Sequence, residues 1–208
     1  MSDAITQLVE GAMSSPWVLL ALFAFAAIDG FFPAVPSESL VVTAGVFAAA
    51  GEPSLPLIIV AAALGAFAGD HVSYFIGSRG GSRLAARLPE GSRKAAAFAS
   101  AGRALAQRGG TMIVVSRYIP GARTAVTLTA GATGHPLRSF STADAIAAVS
   151  WATYSGLVGY LGGAAFEDDP LKGVVLGLGL AISVAVLVEI VRYLRRPAAP
   201  TRPAPSAA

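Results

Sequence analysis

Two acids and two arginines stand in stretches of this sequence that are otherwise apolar, and each pair brackets or adjoins a break in the chain. Asp29 and Glu38 flank Gly30-Phe-Phe-Pro-Ala-Val-Pro36-Ser, and Arg117 and Arg123 flank Pro120-Gly121. Arginine offers a planar fork of donors that matches a phosphate and stays charged at any accessible pH. The Pro120-Gly121 break leaves backbone N–H groups, Gly121 among them, that would add to an anion site. A partly desolvated carboxyl such as Glu38 is suited to exchanging a proton. Together these types predict a phosphate headgroup held by Arg117, Arg123 and Gly121 with Glu38 beside it, and Asp29 or Glu38 coupling proton movement. The competing reading is structural, with Glu38–Arg123 and Asp29–Arg117 ion pairs locking the two segments together.

Other candidates are secondary. Asp70 and Tyr74 lie one helical turn apart in an apolar run, and Asp144 sits in another. His71 has no second ligand nearby in sequence and His135 precedes Pro136 at a turn, so no metal site is expected. Cysteine is absent, which removes a thiol nucleophile, a disulfide framework and a Cys-based metal site. No cofactor is expected. Gly65, Gly69, Gly159, Gly162 and Gly163 read as close helix packing, and Trp151 as packing or interfacial anchoring.

The elements that must position these groups follow from hydropathy. Of 208 residues, 54% are hydrophobic and 13% charged, and the mean hydropathy is +0.65. A soluble domain carries roughly a quarter charged residues, so the chain reads as an all-α integral membrane protein. The positive charge does not suggest nucleic acid, because it clusters beside hydrophobic segments as the positive-inside pattern requires. Apolar runs at 17–28, 55–76, 139–163 and 171–194 give about four transmembrane helices. Runs at 30–50 and 111–133 are broken by Pro and Gly and are too short or too interrupted to span simply. Between them, residues 79–108 are basic. Arg93, Ser100, Arg103 and Gln107 fall on one helical face and Phe98, Ala101 and Leu105 on another, predicting an amphipathic interfacial helix. Residues 1–16 form a retained lead-in without the features of a secretory signal, 17–196 a single membrane domain, and 197–208 a Pro/Ala-rich tail expected to be disordered.

Charge sets the expected topology. The basic 79–108 loop and the Arg-flanked C-terminus go to the cytoplasm, and the acidic turn at 167–169 goes outside. The segments 30–50 and 111–133 must then enter and leave on one side each, as re-entrant hairpins from opposite faces. Val35-Pro-Ser-Glu-Ser-Leu-Val-Val-Thr-Ala-Gly45 resembles Ile119-Pro-Gly-Ala-Arg-Thr-Ala-Val-Thr-Leu-Thr-Ala-Gly131, which suggests an inverted repeat with a site at the bilayer midplane. A charge near that depth costs on the order of 2.5–3.5 kcal/mol by insertion scales, so it pairs or faces water.

Four motifs, in this order, resemble the DedA (SNARE-associated, VTT-domain) family over roughly residues 20–165. They are Phe32-Pro-x-x-Pro-Ser-Glu38, Gly69-Asp-x-x-x-Tyr-x-x-Gly77, Arg117-Tyr-x-Pro-Gly-x-Arg123 with Ala130-Gly131, and Gly159-Tyr-x-x-Gly163. The resemblance implies a cell-membrane protein, not an enzyme, that moves a phosphate-bearing lipid between leaflets. Undecaprenyl phosphate or a phospholipid would be the cargo, often linked to the proton gradient. It puts the family's embedded acids on Asp29 and Glu38 and its essential arginines on Arg117 and Arg123. Asp29 stands where Glu is usual, and Asp144 where Asn is common. Two other function classes compete. One is a membrane assembly or homeostasis factor whose buried charges are structural. The other is a membrane lipid phosphatase, which His71 and His135 serve poorly.

Overall fold

The computed structural model describes residues 11, 15, 17–32, 35–51, 53–87, 93–119, 122–165 and 179; the side chains at 82, 84–86, 93–98 and 101 are not among those described. All the described elements are helices: α1 (Trp17–Phe31), α2 (Ser37–Ala49), α3 (Leu55–Arg87), α4 (Arg93–Ser116), α5 (Ala122–Ala132) and α6 (Leu137–Ala164). The expected span at 171–194, the turn at 167–169, the tail and nearly all of the lead-in lie outside the described residues.

The breaks follow from local chemistry. Pro36, with no N–H to give, stands at the N-terminus of α2, and Glu38 lies in that helix's first turn, where a carboxylate complements the dipole. The end of α5 is a Schellman turn. Gly134 adopts φ 69°, its N–H bonds to Gly131 O, and the N–H of His135 bonds to Ala130 O at 2.9 Å. Pro136 then stands at the N-terminus of α6, and the Tyr74 hydroxyl donates to His135 O at 2.5 Å, tying this corner to α3.

Several element boundaries differ from the sequence expectation. The helix beginning at Trp17 runs on through Asp29 and Gly30 to Phe31, and the N–H of Phe32 bonds to Ile28 O at 2.8 Å. Asp29 therefore belongs to the last turn of α1, and the break opens only after Phe31. α1 has 15 residues and α2 has 13, about 22 and 20 Å at 1.5 Å per residue. Each is shorter than the roughly 30 Å hydrocarbon core of a bilayer. α3, with 33 residues, reaches about 50 Å, so the basic stretch begins as its extension, with Arg79, Arg83 and Arg87 exposed. Among the described residues only Leu55–Gly81, within α3, is both long and apolar enough to cross a membrane. α6 covers the expected span at 139–163, but Arg138, Ser139, Ser141, Thr142 and Asp144 make its first turns polar.

In α4, Ser100, Arg103 and Gln107 are exposed while Leu105 is buried; the side chains of Arg93, Phe98 and Ala101, on which the expected faces also rest, lie outside those described. The helix bends at Arg108 (φ −137°, ψ 28°), just before Gly109-Gly110. Residues 109–116 thereby become a short arm leading to the second break, which opens at Arg117. Short helix, break, short helix, long helix is thus the order in 17–87 and again in 93–164.

Three glycine seams hold the helices backbone to backbone. A Cβ on Gly65 or Gly69 of α3 would collide with the carbonyls of Phe23 and Ala27 in α1. One on Gly159 or Gly163 of α6 would meet those of Val42 and Val46 in α2, and one on Gly45 would meet Gly156 O. One on Gly77 of α3 would meet Leu128 O in α5, one on Gly81 would meet Ala132, and one on Gly131 would meet Tyr74 O. The last two seams have the same residue spacing. Val42, Gly45 and Val46 correspond to Leu128, Gly131 and Ala132, while Gly156, Gly159 and Gly163 correspond to Tyr74, Gly77 and Gly81. Small residues let backbones approach this closely where no hydrophobic drive separates helix from lipid.

Two apolar clusters fill the interior. One joins Leu22, Ala26, Val41, Ala44, Ile58, Ala66, Ala148 and Trp151; the other joins Tyr74, Leu105, Ile113, Val126, Ala130, Phe140 and Ala143. Along α3, Asp70 falls between Ala66 of the first cluster and Tyr74 of the second. Along α6, Asp144 falls between Ala143 of the second and Ala148 of the first. A charged layer is therefore sandwiched between two apolar ones. Outside, Trp17, Leu20, Leu57, Val60, Leu64, Ile146 and Leu161 are more than half exposed, an apolar surface suited to lipid.

Candidate functional site

The charged layer is an interlocked set of two arginines and three aspartates drawn from both halves of the chain. Arg117, just past the end of α4, sends Nη1 to Asp70 Oδ2 at 2.5 Å and lies 3.6 Å from Asp144 Oδ1. Arg123, in the first turn of α5, sends Nη2 to Asp29 Oδ2 at 3.2 Å and Nε towards Asp70 Oδ1 at 3.4 Å. Its Nη2 also donates to the backbone carbonyl of Asp29, an acceptor left free by the helix end of α1. Asp70 thus lies between the two guanidinium groups. Its side chain is 0% exposed and that of Arg117 1%.

Neighbouring groups fix the orientation. Ser37 Oγ donates to Asp29 Oδ2 at 2.5 Å across the first break. Ser73 Oγ donates to Gly30 O at 2.9 Å, so α3 holds the C-terminal end of α1 as well as Asp70. The guanidinium carbon of Arg117 lies 5.1 Å from the Trp151 ring centroid, a cation–π contact strengthened by burial. The next residue, Tyr118, donates its hydroxyl to Ser150 Oγ at 2.8 Å and meets Tyr154 edge to face at 6.4 Å.

One edge of Arg117 is not used. Its Nε and Nη2 are buried and have no hydrogen-bond partner among the described residues. These two N–H groups point the same way and form the side-on fork that grips two oxygens of a carboxylate or phosphate. Buried unpaired donors cost roughly 1–3 kcal/mol each, a cost that an acceptor reaching this edge would remove.

The sequence-derived candidates divide accordingly. Arg117, Arg123 and Asp29 come together as expected, but the pairing differs from Glu38–Arg123 and Asp29–Arg117. Arg123 takes Asp29, Arg117 takes Asp70 and Asp144, and Glu38 is exposed with no arginine partner among the described residues. The reason is geometric: Glu38 begins α2 beyond the break, whereas Asp29 ends α1 against α3 and α5. Asp29 remains Glu38's charged neighbour, and Tyr154 lies within its field. Asp70 and Asp144 are central rather than secondary. Tyr74 is buried, but its hydroxyl serves the α5–α6 corner. Gly121 lies outside the described residues.

His71, Ser141, Ser37 and Trp151 were not singled out by the sequence as site residues. His71 Nε2 lies 2.8 Å from Ser141 Oγ, and Nδ1 lies 2.8 Å from Phe67 O and 3.4 Å from Asp144 Oδ2. The available signal was adjacency: His71 follows Asp70, and Ser141 and Asp144 are one turn apart in a helix. Among the described residues no group of three or more His, Asp or Glu is placed to hold a metal.

The arrangement defines a class: a helical membrane protein with an ion-paired polar layer between two broken segments. The VTT domain family model matches residues 35–161, more than half of the chain, and the chain belongs to that family, which includes the DedA proteins. It is 29% identical over 190 residues to the uncharacterized membrane protein Rv0364 of Mycobacterium tuberculosis, covering 90% of this chain and 83% of the relative. It is 26% identical over 168 residues to protein DedA of Escherichia coli, covering 78% of this chain and 76% of that one. It is 30% identical over 127 residues to the inner membrane protein YohD of Escherichia coli, covering 61% and 64%. No solved structure matches the chain.

Proposed function

We propose that this protein is a membrane transporter that moves a phosphate-bearing lipid between leaflets, with the headgroup held in the Arg117–Arg123 layer. Membership of a family of membrane proteins supports the class. One observation carries the substrate chemistry: the buried Nε–Nη2 fork of Arg117, which has no partner among the described residues. A phosphate brings the acceptors that fork lacks. The tail would stay in lipid along the apolar exterior, so only the headgroup crosses the protein. Undecaprenyl phosphate and phospholipids share this chemistry.

A path for such a step would run between the two breaks. We take the breaks that open after Phe31 and at Arg117 as the tips of two re-entrant hairpins entering from opposite faces, with residues 79–108 and the C-terminus cytoplasmic. The equally spaced glycine seams of α2 on α6 and α5 on α3 support an inverted repeat. Non-helical backbone at depth is tolerated where protein or a polar cavity satisfies it, and both tips adjoin the charged layer.

A second reading is favoured by a different observation. Each arginine is already shared between two carboxylates, as expected of a lock that serves only the fold. Leaflet exchange of labelled undecaprenyl phosphate and phospholipids by purified protein in vesicles separates the two, with free phosphate assayed alongside. Exchange by wild type that is lost in a folded Arg117→Lys variant supports transport. Well-folded protein that exchanges no lipid leaves the structural role, and release of phosphate would revive the phosphatase.

A further inference from the structure

The charged layer continues on one side into a polar chain that the arginine chemistry does not use. Ser141 stands one turn inside α6, close to the Pro136 corner, and is half-buried. Its Oγ lies 2.8 Å from His71 Nε2. His71 is wedged between Phe67 at 4.1 Å and Phe140 at 5.1 Å, centroid to centroid, so its ring cannot swing freely. On the other side of the ring, Nδ1 lies 2.8 Å from Phe67 O and 3.4 Å from Asp144 Oδ2. Asp144 Oδ2 has no hydrogen-bond partner within bonding distance among the described residues, while its Oδ1 is 3.6 Å from Arg117 Nη1. The carboxylate therefore bridges a histidine and the arginine that carries the free fork.

We propose that Ser141, His71 and Asp144 form a proton-loading site that discharges Asp144 and so releases Arg117 for a phosphate-bearing lipid. This rests on the transport reading above and goes beyond it by naming where the proton enters. The step balances. Neutral His71 carries its proton on Nδ1, because Phe67 O can only accept, and Nε2 accepts from the Ser141 hydroxyl. A proton from water joins Ser141 Oγ as the hydroxyl proton passes to Nε2 and the Nδ1 proton passes to Asp144 Oδ2. The ring stays neutral with its tautomer reversed, and one proton has been gained, on Asp144. Neutral Asp144 no longer attracts Arg117, whose charge is then shared between Asp70 and an incoming anion.

The order Ser–His–Asp is also that of a hydrolase relay. Ser141, however, is the fifth residue of α6, past the N–H groups that a helix start leaves free, so its own N–H is taken up within the helix and is not free to hold an oxyanion. The chain is built to pass protons rather than acyl groups.

The charged groups that face His71 define what its titration reads. They are Asp144 from α6, Asp70 on its own helix, and behind these Arg117 at the end of α4, Arg123 of α5 and Asp29 of α1. Glu38 of α2 is next to Asp29. The chain has only two histidines, so nitrogen-15 imidazole spectra of the full-length protein resolve His71 with His135 as an internal control.

The test is leaflet exchange of labelled undecaprenyl phosphate by the full chain in vesicles between about pH 5 and 8, where a histidine-linked site changes state. Wild-type exchange should rise as pH falls, by up to ~10-fold per unit for a single-proton step. His71→Gln and Asp144→Asn should flatten that profile, and the His71 spectrum of wild type at high pH should show the proton on Nδ1. Exchange by His71→Gln with the wild-type pH profile overturns the loading site and leaves transport standing. Wild type that exchanges nothing at any pH overturns both. Should either variant fail to fold, the wild-type spectrum decides: a neutral His71 protonated on Nε2 at high pH overturns the proposal.

Discussion

Arg117 Nη1 and Asp70 Oδ2 meet at 2.5 Å with both side chains shut away from the surface, while the opposite edge of the same guanidinium has no partner among the described residues. A pure lock would satisfy both edges. The division of one side chain into a paired end and an open end is the basis for reading this layer as a binding site, and it makes separate predictions for the two ends.

For the paired end, Asp70→Asn leaves two buried guanidinium groups short of charge. Breaking a buried pair by removing one partner costs about 3–5 kcal/mol. Thermal unfolding in detergent should show a loss of this order, and Asp70→Asn combined with Arg117→Gln should recover part of it. A double variant no better than the sum of the singles would contradict the pairing.

For the open end, Arg117→Lys retains the charge near Asp70 but removes the side-on fork. Stability should fall modestly while lipid exchange falls at least tenfold, about 1.4 kcal/mol. Arg123→Lys should reduce both, because Nε and Nη2 of Arg123 are both engaged with acids. Measuring melting and exchange on the same preparations distinguishes the two arginines.

Glu38 and Asp29 should separate in the opposite sense. Glu38→Gln is expected to change stability by less than about 0.5 kcal/mol, as for an exposed unpaired position. Asp29→Asn removes the acid that Arg123 and Ser37 both hold and should lower the melting temperature clearly. Equal losses would mean that Glu38 has a partner of similar importance.

Much of this was legible in sequence, and the failures have physical causes. Asp29, Arg117 and Arg123 stood out because an apolar stretch does not carry charge without a reason. Their pairing did not, because it depends on where helices end: three extra residues on α1 carry Asp29 into the helix and leave Glu38 on the far side of the break. Asp70 and Asp144 were undervalued for the same reason. One acid in a long helix looks incidental until a crossing helix brings the other beside it. In sequence His71 is a histidine with no second metal ligand nearby, yet its partners are a hydroxyl and a carboxylate 70 and 73 positions later in the chain.

The glycine seams yield a further pair of expectations. Gly131→Ala would drive a Cβ into the Tyr74 carbonyl, and overpacking of this kind costs about 1–3 kcal/mol or more. Gly80, three residues past Gly77 on α3, has nothing within 4 Å of an added Cβ. Gly80→Ala should instead stabilise the helix by roughly 0.8–1 kcal/mol. Opposite signs from two such similar changes, read by thermal unfolding, would locate the seam on one face of α3.

The pairing of acids in the first half with arginines in the second also bears on how the chain is made. Asp70 precedes its partner by 47 residues and Asp29 precedes its partner by 94. At roughly 5–20 residues per second, the ribosome delivers Arg123 some 5 to 20 seconds after Asp29. Until then Asp29 and Asp70 lack the arginines they pair with. The charged layer can therefore close only once residues 117–144 have been made.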